Sequence, residues 1–124
     1  MSVVITEYHD RAMCVVKCAF TFTGTSEAAS SSTKTTHSYY GFVVQCLVDE
    51  DGTNPPPDNW DLTVTDEFGV DLLNGKGTNL TDDTTITQAD LDNGMACSGQ
   101  IQFSAAQVAD GDFATVYLYI TRYQ

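Results

Sequence analysis

Residues 39–77 read YYGFVVQCLVDEDGTNPPPDNWDLTVTDEFGVDLLNGKG, and this stretch decides the fold. It opens with a long apolar strand over His37–Val48. Tyr40, Phe42, Val44, Cys46 and Val48 alternate with Tyr39, Gly41, Val43, Gln45 and Leu47. Both alternating sets are largely apolar, which is the mark of a central strand or of one whose outer face is covered. Asp49–Asn59 follows as an irregular loop, because three consecutive prolines cannot donate ladder hydrogen bonds and favour an extended polyproline path. Asp66-Glu67-Phe68-Gly69 then has the chemistry of a three-residue hairpin connection, a type I turn closed by a glycine in the left-handed region. That turn pairs Asp66 with Val70, Val64 with Leu72 and Leu62 with Asn74. It sets Trp60, Leu62, Val64, Val70 and Leu72 on one face. Turn chemistry and alternation agree on a single register.

The flanking sequence continues in the same style. Val3–Tyr8 is a short β-branched strand, and His9-Asp10-Arg11 turns the chain. Met13–Thr23 alternates strictly, with Cys14, Val16, Cys18, Phe20 and Phe22 on an apolar face. Gly24–Thr36, dominated by Ser, Thr and Ala, reads as a solvated hairpin tip with an extended end at Thr33–Thr36. Thr84–Gln88 is a short strand, Asp90–Gly94 a turn, and Cys97–Ala105 alternates again. Ala109–Asp112 turns, and Phe113–Tyr123 closes the chain with Ala114, Val116, Leu118 and Ile120 opposite Phe113, Thr115, Tyr117, Tyr119 and Thr121. About eight strands and no helix predict an all-β domain, a two-sheet antiparallel β-sandwich spanning 1–124.

Composition narrows the function classes. The chain has 124 residues, 42% of them apolar, which is enough for a core without metal or disulfide staples. It carries 17 acidic against 5 basic residues, a formal charge of -12. Such a surface repels phosphate and anionic lipid, so neither nucleic acid nor membrane is an expected partner. The N-terminus MSVVITEYHD has neither a basic region nor an apolar run of signal-peptide type, so synthesis and residence in the cytosol are expected.

No arrangement that could do chemistry stands out. The two histidines, His9 and His37, fall in a turn and a Ser/Thr-rich segment, and no nucleophile or metalloprotease motif occurs. The carboxylates are scattered through turns, where Asp serves its own backbone. Asp49, Glu50 and Asp51, with Asn54, Asp58 and Asp61, gather oxygen donors as calcium sites do, but the order departs from the EF-hand loop and reads as a solvated acidic loop. No metal, cofactor or catalytic residue is therefore expected. Cys14, Cys18, Cys46 and Cys97 lack zinc-site spacing. Cys14 and Cys18 stand ~13 Å apart along a strand, too far to bridge each other, and all four are read as small buried hydrophobes. Asn79-Leu80-Thr81 is a chance match to the glycosylation sequon.

The outward aromatics are more informative. Tyr39, Val43, Leu47, Tyr117 and Tyr119 fall on faces opposite the expected core, either as an interface or as a second buried face of a thick sandwich. A sandwich that binds carbohydrate is a rival reading, with Trp60 and Tyr39 as its candidate aromatics, although the hairpin register turns Trp60 inward.

The stretch from residue 37 onward also resembles a group of small virion proteins of tailed bacteriophages. The likeness is carried by Pro56, Asp58, Asn59, Trp60, Asp61, Thr63, Thr65, Asp66, Gly69, Asp71, Leu72, Gly75 and Gly77, and near the end by Val116, Tyr117 and Leu118. Trp60 stands where the group favours Tyr, Phe68 where it favours a polar residue, and the cysteines lie outside the pattern. The resemblance implies a structural role without catalytic residues, at the head, neck or tail. With the acidic charge it implies a capsid decoration protein on the outer head surface, a homo-oligomer whose partners are the major capsid protein and copies of itself.

Overall fold

A computed structural model describes residues 2–10, 12–22, 26–108 and 110–122, with 26–32 and 122 described through their backbone alone. Thr23, Gly24, Thr25, Arg11, Ala109 and Tyr123, which the expected elements include, lie outside the described residues. The rest is all-β, with no helix. Its nine strands are β1 (Ser2–His9), β2 (Met13–Thr21), β3 (Ser26–Lys34), β4 (Tyr39–Glu50), β5 (Asp61–Thr65), β6 (Thr84–Ile86), β7 (Met95–Gly99), β8 (Gln102–Val108) and β9 (Phe113–Arg122).

Two antiparallel sheets face each other. The larger runs β1-β2-β9-β4, and the far edge of β4 is shared, with β7 along Tyr39–Val43 and β6 along Cys46–Val48. The smaller sheet is β3-β8-β5. The expected central strand is thus central. The expected Cys97–Ala105 strand is divided: Gly99, with φ of 94°, lets the chain leave the large sheet after β7 and enter the small one as β8. Its alternation persists across the crossing, with Cys97, Gly99, Ile101, Phe103 and Ala105 all buried.

The core lies between the sheets. Cys14, Val16, Cys18 and Phe20 of β2 and Val116, Leu118 and Ile120 of β9 pack toward Leu62, Val64, Phe103 and Ala105 of the small sheet. Phe20 stacks on Phe22 at 5.6 Å, meets Phe103 edge-on at 6.4 Å, and Phe22 meets Trp60 edge-on at 5.9 Å. Aromatic edges and faces of this kind add to area burial and lock relative orientation.

Two expectations need correction. The Ser/Thr/Ala segment is not a hairpin tip: from Ser26 it is a nine-residue strand paired with β8 as Ala28↔Ala106 and Ala29↔Ala105. Pairing with a formed neighbour supplies what the segment's own apolar pattern lacks. The hairpin register holds at its tip, where Gly69 (φ 77°) donates to Asp66 at 3.1 Å, Leu72 donates to Val64 at 2.8 Å and Thr65 bridges Asp71. It fails beyond Leu72. The chain loops through Asn74 and Gly75, both at positive φ, and Leu62 donates to Gly77 at 2.7 Å instead of pairing with Asn74. Val70, expected inside, is exposed, whereas Leu73 is buried.

Gly77 sits so close to Leu62 that a Cβ there would collide with the Leu62 carbonyl oxygen and crowd Leu73. Gly77→Ala should lower unfolding free energy by roughly 1–3 kcal/mol in chemical denaturation. Lys76→Ala, at an exposed position of the same loop, should cost much less, and the reverse ranking would restore the continuous hairpin register.

Candidate functional site

Three features of the described residues have functional geometry: the outer face of the large sheet, a polar cluster at one end of the sandwich, and an acidic cleft at the other.

The outer face is set by an irregularity in β4. Up to Val43 the pairing with β9 runs Gly41↔Arg122, Phe42↔Thr121, Val43↔Ile120, and after it Gln45↔Tyr119, Cys46↔Leu118. Val44 is the extra residue of a β-bulge, which switches the inward parity of the strand. Tyr39 and Val43 are therefore buried, and so are Cys46, Val48 and Glu50. This corrects the expected interface: Tyr39 and Val43 belong to the core side, while Leu47, Tyr117 and Tyr119 stand together, half-buried, on the outer face. Reading β4 as an unbroken period-two strand necessarily misplaced one half of it.

Paired strands extend that face in rows. One runs Tyr8, Val15, Tyr119, Gln45; the next Thr6, Lys17, Tyr117, Leu47, Thr85; a third Met13, Thr121, Phe42, Ala96. The Lys17 ammonium lies 5.8 Å from the Tyr117 ring centroid. Tyr8 (54% exposed), Tyr40 (62%) and Phe42 (40%) complete an apolar surface with the small sheet on its opposite side. Tyr8 and Phe42 were missed at the sequence level. The alternation of β1 signals Tyr8, but nothing local to β4 marks the bulge that exposes Phe42.

The polar cluster joins residues distant in sequence. Glu7 points inward from β1 and accepts Thr36 N at 2.8 Å through Oε2. Through Oε1 it accepts His37 N at 3.1 Å and the Tyr39 hydroxyl at 2.7 Å. His37 Nδ1 lies 3.3 Å from the same Oε1, and His9 Nε2 lies 2.9 Å from the Tyr39 oxygen. Partial burial would raise the Glu7 pKa, but hydrogen bonds from Tyr39, Thr36 and His37 outweigh it and hold the carboxyl below its ordinary value. Thr35 anchors the same connection, since its backbone N–H donates to Ile101 O and its hydroxyl accepts Ile101 N, both at 2.9 Å.

At the opposite end an open cleft of about 350 Å³ is lined by Glu50, Asp51, Asp58, Asp82 and Asp83 beside Pro55 and Pro56. Most of these carboxylates serve local backbone: Asp51 accepts Thr53 N and Asn54 N at 3.0 and 2.7 Å, and Asp83 accepts Glu50 N at 2.8 Å. Glu50 differs. The bulge carries it inward, and its Oε1 and the Trp60 Nε1 are both buried with no hydrogen-bond partner among the described residues. Burial first, then Asp82, Asp83 and Asp58, raise its pKa, and the neighbouring Trp60 N–H offsets only part of this.

All four cysteines are buried. Burial raises the Cys46 pKa to about 12 and pushes the Cys18 and Cys97 thiols up as well, which favours the thiol form in all three. Trp60 and Tyr39, the aromatics a carbohydrate site would need at the surface, are both buried. No family model, curated protein or solved structure matches this chain.

The raised Glu50 pKa has a defined sign. A carboxyl that binds its proton more tightly when folded imposes no penalty below its unfolded value, near 4.5, and imposes its full penalty once pH exceeds the folded value. Glu50→Gln should therefore raise the melting temperature by several degrees at pH 7, on the order of 1 kcal/mol, with the gain vanishing at about pH 3. An equal gain at both pH values would assign the effect to packing.

Proposed function

We propose that this chain is a structural protein of a tailed-bacteriophage virion, a capsid decoration (cement) protein that binds the outer head surface and bridges neighbouring shell subunits. One observation carries the reading: in a domain of charge -12 the described residues leave uncovered a largely apolar sheet face, built from Tyr8, Val15, Phe42, Leu47, Tyr117 and Tyr119. A contiguous apolar patch on a folded domain marks a surface that a partner covers, and Tyr suits such a surface because its ring packs while its hydroxyl finds a hydrogen bond. The resemblance around the Pro56–Gly77 segment supplies the partner class, the major capsid protein together with further copies of this chain.

The mechanism follows from linkage. A ligand that binds only the assembled shell lowers the free energy of assembly and raises the cost of separating subunits. The charge favours the exterior, since a strongly acidic domain is repelled by packaged DNA. In this reading the chain contributes burial of surface and no chemical step.

Two measurements test it. Quantifying the chain in purified particles should give a copy number comparable to that of the shell subunit. A number set by the tail axis would move the protein to the neck or tail, and absence from particles would sink the virion reading. Tyr8→Asp and Tyr40→Asp, at outer-face positions more than half exposed, should leave the melting temperature nearly unchanged. Each should weaken attachment to undecorated heads by about 30-fold, or roughly 2 kcal/mol.

A further inference from the structure

The chain has two histidines, and the fold brings both to one carboxylate. His9 ends β1 and His37 lies in the β3–β4 connection, yet their rings meet edge-on with centroids 4.5 Å apart. One ligand atom from each of Glu7, His9 and His37 lies within 4.8 Å of the other two. Among the described residues no other set of three His, Cys, Asp or Glu side chains converges in this way, the acidic cleft included.

We propose that Glu7, His9 and His37 form a binding site for a divalent transition-metal ion of the zinc class. Two imidazoles and a carboxylate are the donor set that selects zinc, cobalt, nickel or copper over calcium and magnesium, which prefer oxygen alone. A tetrahedral zinc ion at ordinary bond lengths holds neighbouring ligand atoms about 3.4 Å apart. The backbone that carries the ligands is already fixed, because Glu7 accepts hydrogen bonds from Thr36 N and His37 N.

Without an ion, protons hold the ligand atoms together. The Tyr39 hydroxyl donates to Glu7 Oε1 at 2.7 Å and has His9 Nε2 beside it at 2.9 Å, and His37 Nδ1 approaches the same Oε1 at 3.3 Å. A cation takes the place of those shared protons, with Tyr39 left beside the ligands to orient Glu7. The His37 side chain is 60% exposed and that of Glu7 10% exposed, so the ion has an entry path and water can fill the remaining coordination position. The cysteines, the stronger thiolate competitors, are buried in the core. The ion would tie the edge strand β1 to the β3–β4 connection. β1 is an edge strand that pairs on one side only, with β2, so binding at this point stabilises the fold.

The test uses the full chain stripped of metal with a chelator and then titrated with Zn²⁺ and Co²⁺. The expected result is one Zn²⁺ per chain by calorimetry, a higher melting temperature on Zn²⁺ addition, and Co²⁺ visible bands without a thiolate charge-transfer feature. His37→Ala removes one side-chain contact to Glu7 and one to His9 at an exposed position, and should lower the metal-free melting temperature by no more than a few degrees. His9→Asn is the second variant. Each should weaken Zn²⁺ binding at least about tenfold, while Glu50→Gln, at the far end of the sandwich, should leave it unchanged. Unchanged affinity in both histidine variants overturns the assignment. So does the absence of both binding and thermal shift at metal concentrations up to about 1 mM.

Discussion

One extra residue in β4 decides what this domain presents to its surroundings. Along a strand, side chains alternate with a period of two, so a regular β4 could turn inward either Tyr39 with Val43 or Cys46 with Glu50, not both. The bulge at Val44 makes both possible. Before it, Tyr39 reaches into the end of the sandwich and meets Glu7, while Tyr40 and Phe42 face out. After it, Leu47 faces out beside Tyr117, and Glu50 is carried in toward Trp60. The outer apolar face, the place of Tyr39 beside Glu7 and the inward turn of Glu50 thus depend together on one backbone irregularity in the strand that joins β9 to β7 and β6.

The two ends of the sandwich show how partners decide the charge state of one residue type. Glu7 and Glu50 are both glutamates on strands of the large sheet, and for both burial works against ionisation. At Glu7 the burial is answered by a hydroxyl and two backbone N–H donors, and the carboxylate is favoured. At Glu50 it is compounded by Asp82, Asp83 and Asp58, and only the indole of Trp60 opposes it. One end is held together by its carboxylate, and the other is held together despite it. A buried acceptor without a donor costs free energy that the surrounding fold must offset.

The legible parts of the sequence were those governed by local rules. The Asp66–Gly69 turn needs a residue at positive φ at its end, and Gly69 supplies it. The alternation of Cys14 to Phe22 and of Ala114 to Ile120 follows from one buried sheet face, and every one of those apolar positions is buried. The illegible parts depend on partners far along the chain. Ser26–Lys34 has no apolar alternation and becomes a strand only because β8 offers an edge. The loop after Leu72 follows Gly77 because Leu62 N needs an acceptor there. The bulge leaves no trace in composition, since Val43, Val44 and Gln45 would fit a regular strand. His9 and His37 could not be linked from sequence because their meeting requires the closure of the whole sandwich end.

The charge distribution makes the outer face compatible with docking. Most of the 17 carboxylates lie in turns and at the two ends of the sandwich. A fourth outer row runs Val4, Ala19, Thr115, Asp49, and across the four rows the charged residues are Lys17 and Asp49 alone. Covering this face therefore desolvates little charge, which is the usual obstacle to burying a surface on an acidic protein. The peripheral acids act differently: they repel a second free copy at distances beyond contact and so limit association in dilute solution, an effect that salt screens within about 8–10 Å. A neutral apolar face ringed by negative charge therefore favours a partner that is itself neutral or basic at the contact over unassisted pairing of free copies. In the proposed role, copies would meet side by side only after each has docked, with the shared support supplying the proximity that their charge opposes.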